Sequence, residues 1–278
     1  MSFMINYEQY SVIGDPVYQS ISPFIHRTIF NYFDETYKMY SKLKITSDGL
    51  VYNFSLLKSN FQGFNVTSPH KINIIKYLDE LDDFSKKIGC VNTVKVLNGK
   101  TIGYNTDAYG FLKGFEDYKD KVSGKDVLVL GSGATSRIVI SSLIDLGANV
   151  YVRARNTEKL NVLKKLIHDM HGGYEIDIDV LDKVQGTYFG LVNTTSIMSN
   201  LNLGNLDVLS FVYDVNYSVR KLTDFLSKFL NNNLMLIDGR DMVFYQAIKS
   251  QEIWRDCTID QEDVSNIYNE FTKIFSED

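Results

Sequence analysis

The chain is poor in the residues that cross-link, kink or anchor a protein. It has two cysteines, Cys90 and Cys257, in 278 residues. That is too few for a disulfide framework and fits a reducing, cytoplasmic setting. Three prolines interrupt it, Pro16, Pro23 and Pro69. Positive charge is not in excess: 29 Lys and Arg stand against 34 Asp and Glu, for a net charge of −5. The basic footprint that nucleic acid or an anionic membrane surface requires is therefore absent. No apolar run approaches the length of a membrane span, and no basic stretch followed by an apolar core opens the chain. Repeats and low-complexity segments are lacking too. These absences leave a soluble protein with small-molecule partners as the expectation, and they do not choose between a monomer and a homodimer.

The length suits two domains of ordinary size. Over the first hundred residues, strand-like runs (YSVIG, YKMYSKLKI, FQGFNV) alternate with amphipathic stretches (PFIHRTIFNYF, GLVYNFSLL), an α/β rhythm. A helical KINIIKYLDELDDFSKKIG follows, and then VNTVKVLNGKTIGYN, where Asn98-Gly99 between apolar runs signals a hairpin. A second α/β unit starts near Asp107 with strands VLVLG, NVYVRA, YEIDID, FGLVNTT, FVYDVN and LMLID, the pattern of a parallel sheet with crossovers. After Gly239 the chain reads as helices, more than the second sheet needs. The expected fold is an N-terminal α/β substrate domain, residues 1–106 with 241–278, whose C-terminal helices pack back on it, plus a Rossmann-like domain, residues 107–240.

GSGATSR, Gly131 to Arg137, lies between the buried strand VLVL and the helix SRIVISSLIDLG, which Gly147 closes at its C′ position. Backbone amides and the macrodipole at such a helix start favour an anion. A dinucleotide loop normally reads G-x-G-x-x-G, and here the third glycine is Ser136. NAD sites place an acid at the end of the next strand. This strand ends YVRARNTEK, with Arg153, Arg155 and Lys159, which favours the 2′-phosphate of NADP.

Three polar clusters mark the first unit. In SISPFIH, Ser22 before Pro23 reads as an N-cap with proline at the first helical position. Capping does not account for Ser20, whose hydroxyl can join helix amides around a carboxylate. NVTSPHK repeats the device with Ser68 and Pro69 and puts Lys71 in a first helical turn. A cation there opposes the macrodipole, which eases loss of its proton. In GYNTDAYGF, Asp107 precedes a helix and reads equally as a cap. A lysine and a carboxylate facing one hydroxyl would form a proton-relay pair for carbonyl reduction.

Together these residues resemble the shikimate dehydrogenase family over nearly the whole chain, in order. IGDPVYQSISPFIH, GFNVTSPHK, IGCVNTV, GYNTDAYGF and DGRDMVFYQA are similar to its substrate motifs. GSGATSR is similar to its glycine loop, RARNTEK to its adenosine-phosphate motif and LVNTTS to its nicotinamide-side loop. The resemblance implies NADPH-dependent reduction of 3-dehydroshikimate to shikimate, with Lys71 and Asp107 as the catalytic pair. It implies that Ser20 and Ser22 bind the substrate carboxylate, with Tyr217 reaching that end, and that Thr67, Asn92 and Gln246 surround the ring hydroxyls. For NADP(H), it implies Gly131, Ser132, Gly133, Ala134 and Thr135 at the pyrophosphate, Arg155, Asn156 and Lys159 at the 2′-phosphate, and Thr194, Gly239 and Met242 on the nicotinamide side.

The chain departs from the family pattern in places. The loop usually reads G-A-G-G-A, so Ala134 and Thr135 add atoms near the pyrophosphate. The phosphate motif, commonly N-R-T, reads Ala154, Arg155, Asn156, which keeps the arginine and loses the leading asparagine. Val219 follows Tyr217 where a proline is usual, and Ala108 follows Asp107 where a glycine is usual. A quinate/shikimate dehydrogenase preferring NAD is one alternative, against which the paired serines and the basic strand end speak. A non-catalytic nucleotide-binding paralogue is another. His168 and His171 have no third ligand in view, so no metal is expected. Cys90 reads as a buried hydrophobe and Trp254 as a residue docking the C-terminal helices.

Overall fold

The computed structural model describes residues 7–180, 184–195, 203, 205–219, 221–230 and 233–275. The chain divides into two compact units, one formed by residues up to Thr106 and from Gln246 onward, the other by Asp107–Tyr245.

The first unit runs β1 (Glu8–Gly14), α1 (Ser22–Tyr32), β2 (Lys38–Lys44), α2 (Leu50–Asn60), β3 (Gly63–Val66), α3 (His70–Asn73), β4 (Glu80–Leu81), α4 (Asp83–Ile88), β5 (Thr93–Leu97) and β6 (Lys100–Tyr104). Its mixed sheet has the order β2-β1-β3-β5-β6-β4. β1 is parallel to β2 and β3, and β5 is antiparallel to β3 and β6. The central strand β3, GFNV, is buried throughout, whereas the edge strand β2, KMYSKLK, is largely accessible. Lysines on such an edge discourage pairing with another chain. Asn98 and Gly99 both have positive φ, 51° and 75°, the backbone of a tight two-residue hairpin joining β5 to β6.

The long helix expected over KINIIKYLDELDDFSKKIG is instead broken. α3 passes into a 3₁₀ turn at Ile74–Tyr77, then comes β4, then α4. Two aspartates account for the break. Asp79 accepts the Thr101 N–H at 2.7 Å and its hydroxyl at 2.9 Å, tying the segment to β6. Asp82 caps α4 by accepting from the Phe84 and Ser85 amides, which starts a new helix.

The second unit runs α5 (Asp107–Gly114), β7 (Asp126–Leu130), α6 (Ala134–Asp145), β8 (Asn149–Ala154), α7 (Thr157–Met170), β9 (Asp177–Val180), β10 (Gln185–Asn193), β11 (Asn205–Asp214) and β12 (Met235–Ile237). All its strand pairs are parallel, in the order β12-β11-β10-β7-β8-β9. This is the doubly wound dinucleotide-binding order, whose switch point falls between β7 and β10. Both faces of the sheet are covered, as the apolar run in β7 requires. Val127 and Val129 pack with Phe111, Val139 and Leu163 on one face; Leu128 and Leu130 pack with Leu191, Phe225 and Leu226 on the other. Gly147, φ 81°, ends α6 as expected.

α8 (Arg240–Arg255) and α9 (Gln261–Thr272) complete the described chain. Their first-unit residues pack back onto that unit. The Trp254 indole lies over Gly63, donates to the Val94 carbonyl at 2.9 Å, and stacks obliquely 4.8 Å from the Tyr10 ring. Tyr32 on α1 donates to Asp263 on α9 at 2.7 Å, and Arg255 pairs with Glu35. Among the described residues no helix is long and apolar enough to cross a membrane.

Candidate active site

In the first unit, strand register gathers the substrate-side residues at one end of the sheet. β1 and β3 are parallel, so the segments after Gly14 and Val66 leave on the same side. Asn65 of β3 faces Thr93, and Thr93 faces Tyr104 of β6. Asn92 and Thr106 therefore arrive at the same end, outside the carboxyl ends of β1 and β3, where open α/β sheets bind ligands. The backbone laces these segments together. Thr67 N–H donates to the Ile13 carbonyl at 2.9 Å, Val66 N–H to Asn92 at 2.7 Å, and Val91 N–H to Lys71 at 2.8 Å.

Ser22 is not a cap: α1 begins at Ser22 itself, and the preceding Ile21 offers no side-chain cap. Ser20 takes over that task, two residues earlier. Its Oγ accepts the Ser22 N–H at 3.2 Å and donates to Ser22 Oγ at 3.0 Å. Ser68 and Pro69 do not repeat the device: Pro69 itself stands at the N-cap of α3, which has only four residues and no side-chain cap. The dipole of so short a helix is small, so Lys71 is held by its backbone bond to Val91 and not set against a strong helix field. Lys71 and Thr67 are half-buried.

Behind them lies a buried polar network that the sequence reading missed. Asn92 Oδ1 accepts the Thr106 N–H at 2.7 Å, and Asn92 Nδ2 donates to Thr106 Oγ1 at 2.9 Å and Gln246 Oε1 at 3.3 Å. Asn65 Nδ2 donates to the Asn92 carbonyl, Thr93 Oγ1 and Ser250 Oγ at 3.2, 3.0 and 3.0 Å. Tyr40 donates to Asn65 Oδ1 at 2.7 Å. Of the expected residues in this unit, Asn92 and Gln246 thus sit together in one bonded set. Buried donors and acceptors so completely matched hold one geometry. The only signal for Asn65 and Thr106 was their place inside the FNV and NTD stretches.

In the second unit, Asp107 is the first residue of α5 and is buried, not a cap before it. The glycine loop sits at the switch point. Gly131 follows β7 with φ 122°, and a Cβ there would lie 2.4 Å from Thr194 Oγ1. The hydroxyl of Thr194 donates to the Leu130 carbonyl at 2.7 Å and meets Ser136 Oγ at 2.6 Å. Ser136 also accepts the Gly133 N–H at 3.0 Å. The residue in place of a third glycine therefore stitches the loop to β10. A Cβ on Gly133 would meet nothing within 4 Å, so open space lies before the start of α6. Ala134 and Thr135 are the first two residues of that helix, and Ser132 is half-buried in the turn.

Past β8 the two arginines part company. Arg153 is drawn to β9, paired with Asp177 at 2.6 Å, and does not stand where an acid would meet a ribose. Arg155 and Lys159 are exposed, and neither has an ion-pair partner among the described residues. Asn156 caps α7 by accepting the Lys159 N–H at 2.8 Å. At the ends of β10 and β11, Asp214 gathers Asn193, Thr223 and both the amide and side chain of Asn216 within 2.6–3.2 Å. Burial raises its pKa, and these hydrogen bonds offset that rise only in part. Tyr217 is half-buried just beyond this cluster. Gly239 is required by close approach, since a Cβ would lie 2.1 Å from the Val215 carbonyl oxygen. Met242 is buried in the core with Phe111 and Tyr213. His171 hydrogen-bonds Ser141 and faces Asp145, and His168 faces Asp169 and Glu175. Cys90 is buried with its sulfur accepting from Asn105.

Residues 12–94 match the family model for the shikimate dehydrogenase substrate binding domain. A shikimate dehydrogenase (NADP(+)) of Methanococcus maripaludis is 36% identical over 253 residues, covering 87% of this chain and 90% of that protein. This chain belongs to the shikimate dehydrogenase family. The Aquifex aeolicus shikimate dehydrogenase (NADP(+)) is similarly 36% identical, over 90% of this chain and 92% of its own. Among solved structures, a shikimate dehydrogenase in complex with NADP+ superposes with a TM-score of 0.80 at 30% identity, covering 96% of both chains. The Aquifex aeolicus enzyme superposes at 0.78 with 31% identity, over 94% of this chain and 97% of that one. Against these family members the Rossmann-type order of the second sheet and the packing of the C-terminal helices on the first unit are as the sequence led one to expect.

Proposed function

We propose that this shikimate dehydrogenase family member reduces 3-dehydroshikimate to shikimate with NADPH. The observation that carries the reading is that Thr67, Lys71 and Asn92 come to one end of the first sheet through strand register and backbone bonds, with Gln246 hydrogen-bonded to Asn92. The names and the NADP+ complex of the family members support the same chemistry and cofactor.

NADP(H) fits the second unit. The space over Gly133 leaves room at the start of α6 for a pyrophosphate, with Gly131, Ser132, Ala134 and Thr135 completing the turn. The exposed Arg155 and Lys159 beside Asn156 suit a 2′-phosphate, and Thr194, Gly239 and Met242 belong to the nicotinamide side. When bound, the reduced nicotinamide supplies the hydride.

The chain's own residues supply position and charge. Ser20 and Ser22 hold the substrate carboxylate, with Tyr217 serving the same end, and Thr67, Asn92 and Gln246 orient the ring hydroxyls. Lys71 Nζ delivers a proton to the carbonyl oxygen as it becomes an alkoxide, and Asp107 orients that ammonium. The first unit is the substrate domain and the second the NADP-binding domain. Initial rates on shikimate and quinate, each with NADP and NAD, test the assignment. Shikimate with NADP is expected to be fastest; no turnover with that pair, or a preference for quinate with NAD, would overturn it.

A further inference from the structure

The hydroxyls of Ser136 and Thr194 join two loops at the switch point of the second sheet, and a group that can only accept fixes their polarity. Thr194 donates its one hydroxyl proton to the Leu130 carbonyl at 2.7 Å. The 2.6 Å contact between Ser136 Oγ and Thr194 Oγ1 is then donated by Ser136. Ser136 Oγ in turn accepts the Gly133 N–H at 3.0 Å. Polarity thus runs from the glycine turn through the fully buried Ser136 to Thr194 and ends on β7. Gly131 makes room for the pair, since a Cβ there would lie 2.4 Å from Thr194 Oγ1 and 2.9 Å from Ser136 Oγ.

The segment is tied on its other side as well. Asn193 Oδ1 accepts the Thr195 N–H at 3.1 Å and the Thr195 hydroxyl at 2.8 Å, while Asn193 Nδ2 donates to Asp214 at 2.9 Å. Asn216 Nδ2 donates to the Thr195 carbonyl and to Asp214, both at 2.8 Å. The Asn216 carbonyl accepts the Gly239 N–H at 2.9 Å. Hydrogen bonds, interrupted only by the Thr194–Thr195 peptide, therefore run from Gly133 before α6 to Gly239 before α8, all inside the second unit.

We propose that Ser136 is a positioning residue that sets the spacing between the pyrophosphate turn and the nicotinamide-side loops, and with it the affinity for an intact dinucleotide. This rests on the assignment of Gly131 to Thr135 to the pyrophosphate and of Thr194 and Gly239 to the nicotinamide side. A dinucleotide spans both ends of the hydrogen-bonded run, so a spacing fixed beforehand lowers the ordering cost of binding it. A ligand that stops at its first phosphate meets one end only and gains nothing from the spacing. The Thr194 hydroxyl acts here through its place, its proton being held by Leu130.

Ser136→Ala is expected to raise calorimetric Kd and KM for NADP about fivefold, the worth of one neutral hydrogen bond, and those for NAD by the same factor. Adenosine 2′,5′-bisphosphate, which ends at its 5′-phosphate, should keep its Kd within about twofold. Thr194→Val removes the same bond and leaves the Leu130 carbonyl its main-chain donor at 2.9 Å. It should match Ser136→Ala, it serves in its place should that variant not fold, and the double variant should be no weaker than either single one. A merely structural role would weaken adenosine 2′,5′-bisphosphate as much as NADP. That outcome overturns the proposal, as does an unchanged NADP affinity or losses that add in the double variant. If the original protein binds neither NADP nor adenosine 2′,5′-bisphosphate, the cofactor-site reading fails and the proposal falls with it. If Arg155→Ala weakens both ligands while Ser136→Ala weakens neither, the proposal alone fails.

Discussion

His26 makes the first unit acid-sensitive. Its ring is fully buried on α1, its Nδ1 meets the Gln251 side-chain amide at 2.8 Å, and it lies between Tyr40 and Trp254. Burial, aided by the Arg255 charge, pushes its pKa from 6.5 down to about 3. The unfolded chain therefore binds a proton at His26 well before the folded chain does. Above pH 6.5 the group is neutral in both states and stability is flat. As pH falls from 6.5 toward 3, stability is lost at about 1.4 kcal/mol per unit. At pH 5 the loss amounts to about 2 kcal/mol. The perturbation is His26→Phe, which keeps a ring against Tyr40 but cannot take a proton. The assay is urea unfolding at about pH 7 and about pH 5, followed by the emission of Trp254, the chain's one tryptophan, which sits in the same unit. The variant is expected to be weaker at the higher pH, where Gln251 loses its acceptor. The gap between the two proteins should close by about 2 kcal/mol at the lower pH, since only the original loses stability through this ring. A gap that is the same at both pH values would refute the reasoning.

Three further outcomes follow from the geometry. Lys71→Met should lower kcat by about 10²- to 10⁴-fold, as expected for loss of a general acid, with a much smaller change in KM; a change confined to KM counts against the proton-delivery role. Arg155→Ala should raise KM for NADP by about tenfold and leave KM for NAD within about twofold, since only NADP carries the extra phosphate; equal losses with both would remove the 2′-phosphate assignment. Gly63→Ala would place a Cβ 2.2 Å from Trp254 Nε1 and so expel the indole, costing about 1–3 kcal/mol or more; an unchanged unfolding midpoint and unshifted tryptophan emission would show that the helix is not seated there.

Much of the fold was legible because it depends on local pattern. Buried runs such as VLVL and the FGLV part of β10 announce central parallel strands, and Asn98-Gly99 demands its hairpin through two positive φ angles. The substrate-side and nucleotide-side residues were legible through resemblance more than through chemistry. What was hidden depends on partners far along the chain. Asp79 breaks a helix because it meets Thr101, and nothing near Asp79 shows that. Arg153 looked like a nucleotide contact until β9 placed Asp177 beside it. Ser22 looked like a cap because Ser20's geometry two residues upstream cannot be read from spacing. Ser136, standing where the glycine pattern has its third glycine, closes the loop only because Thr194 arrives 58 residues later. The network of Tyr40, Asn65, Thr106 and Ser250 spans β2, β3, the turn after β6 and α8, so no single window contains it.

The seating of Trp254 on Gly63 has a consequence for the order of synthesis. The second unit is one continuous stretch, Asp107–Tyr245, and can close as soon as it emerges from the ribosome. The first unit cannot. Its strands β1, β3 and β5 are made early, yet the indole that covers Gly63 and binds Val94 lies 160 residues downstream of Val94. Until α8 is translated, Gly63 and Val94 lack the indole that covers them while the rest of the chain grows. The part made first is therefore finished last, and the period between is when a chaperone would find this protein.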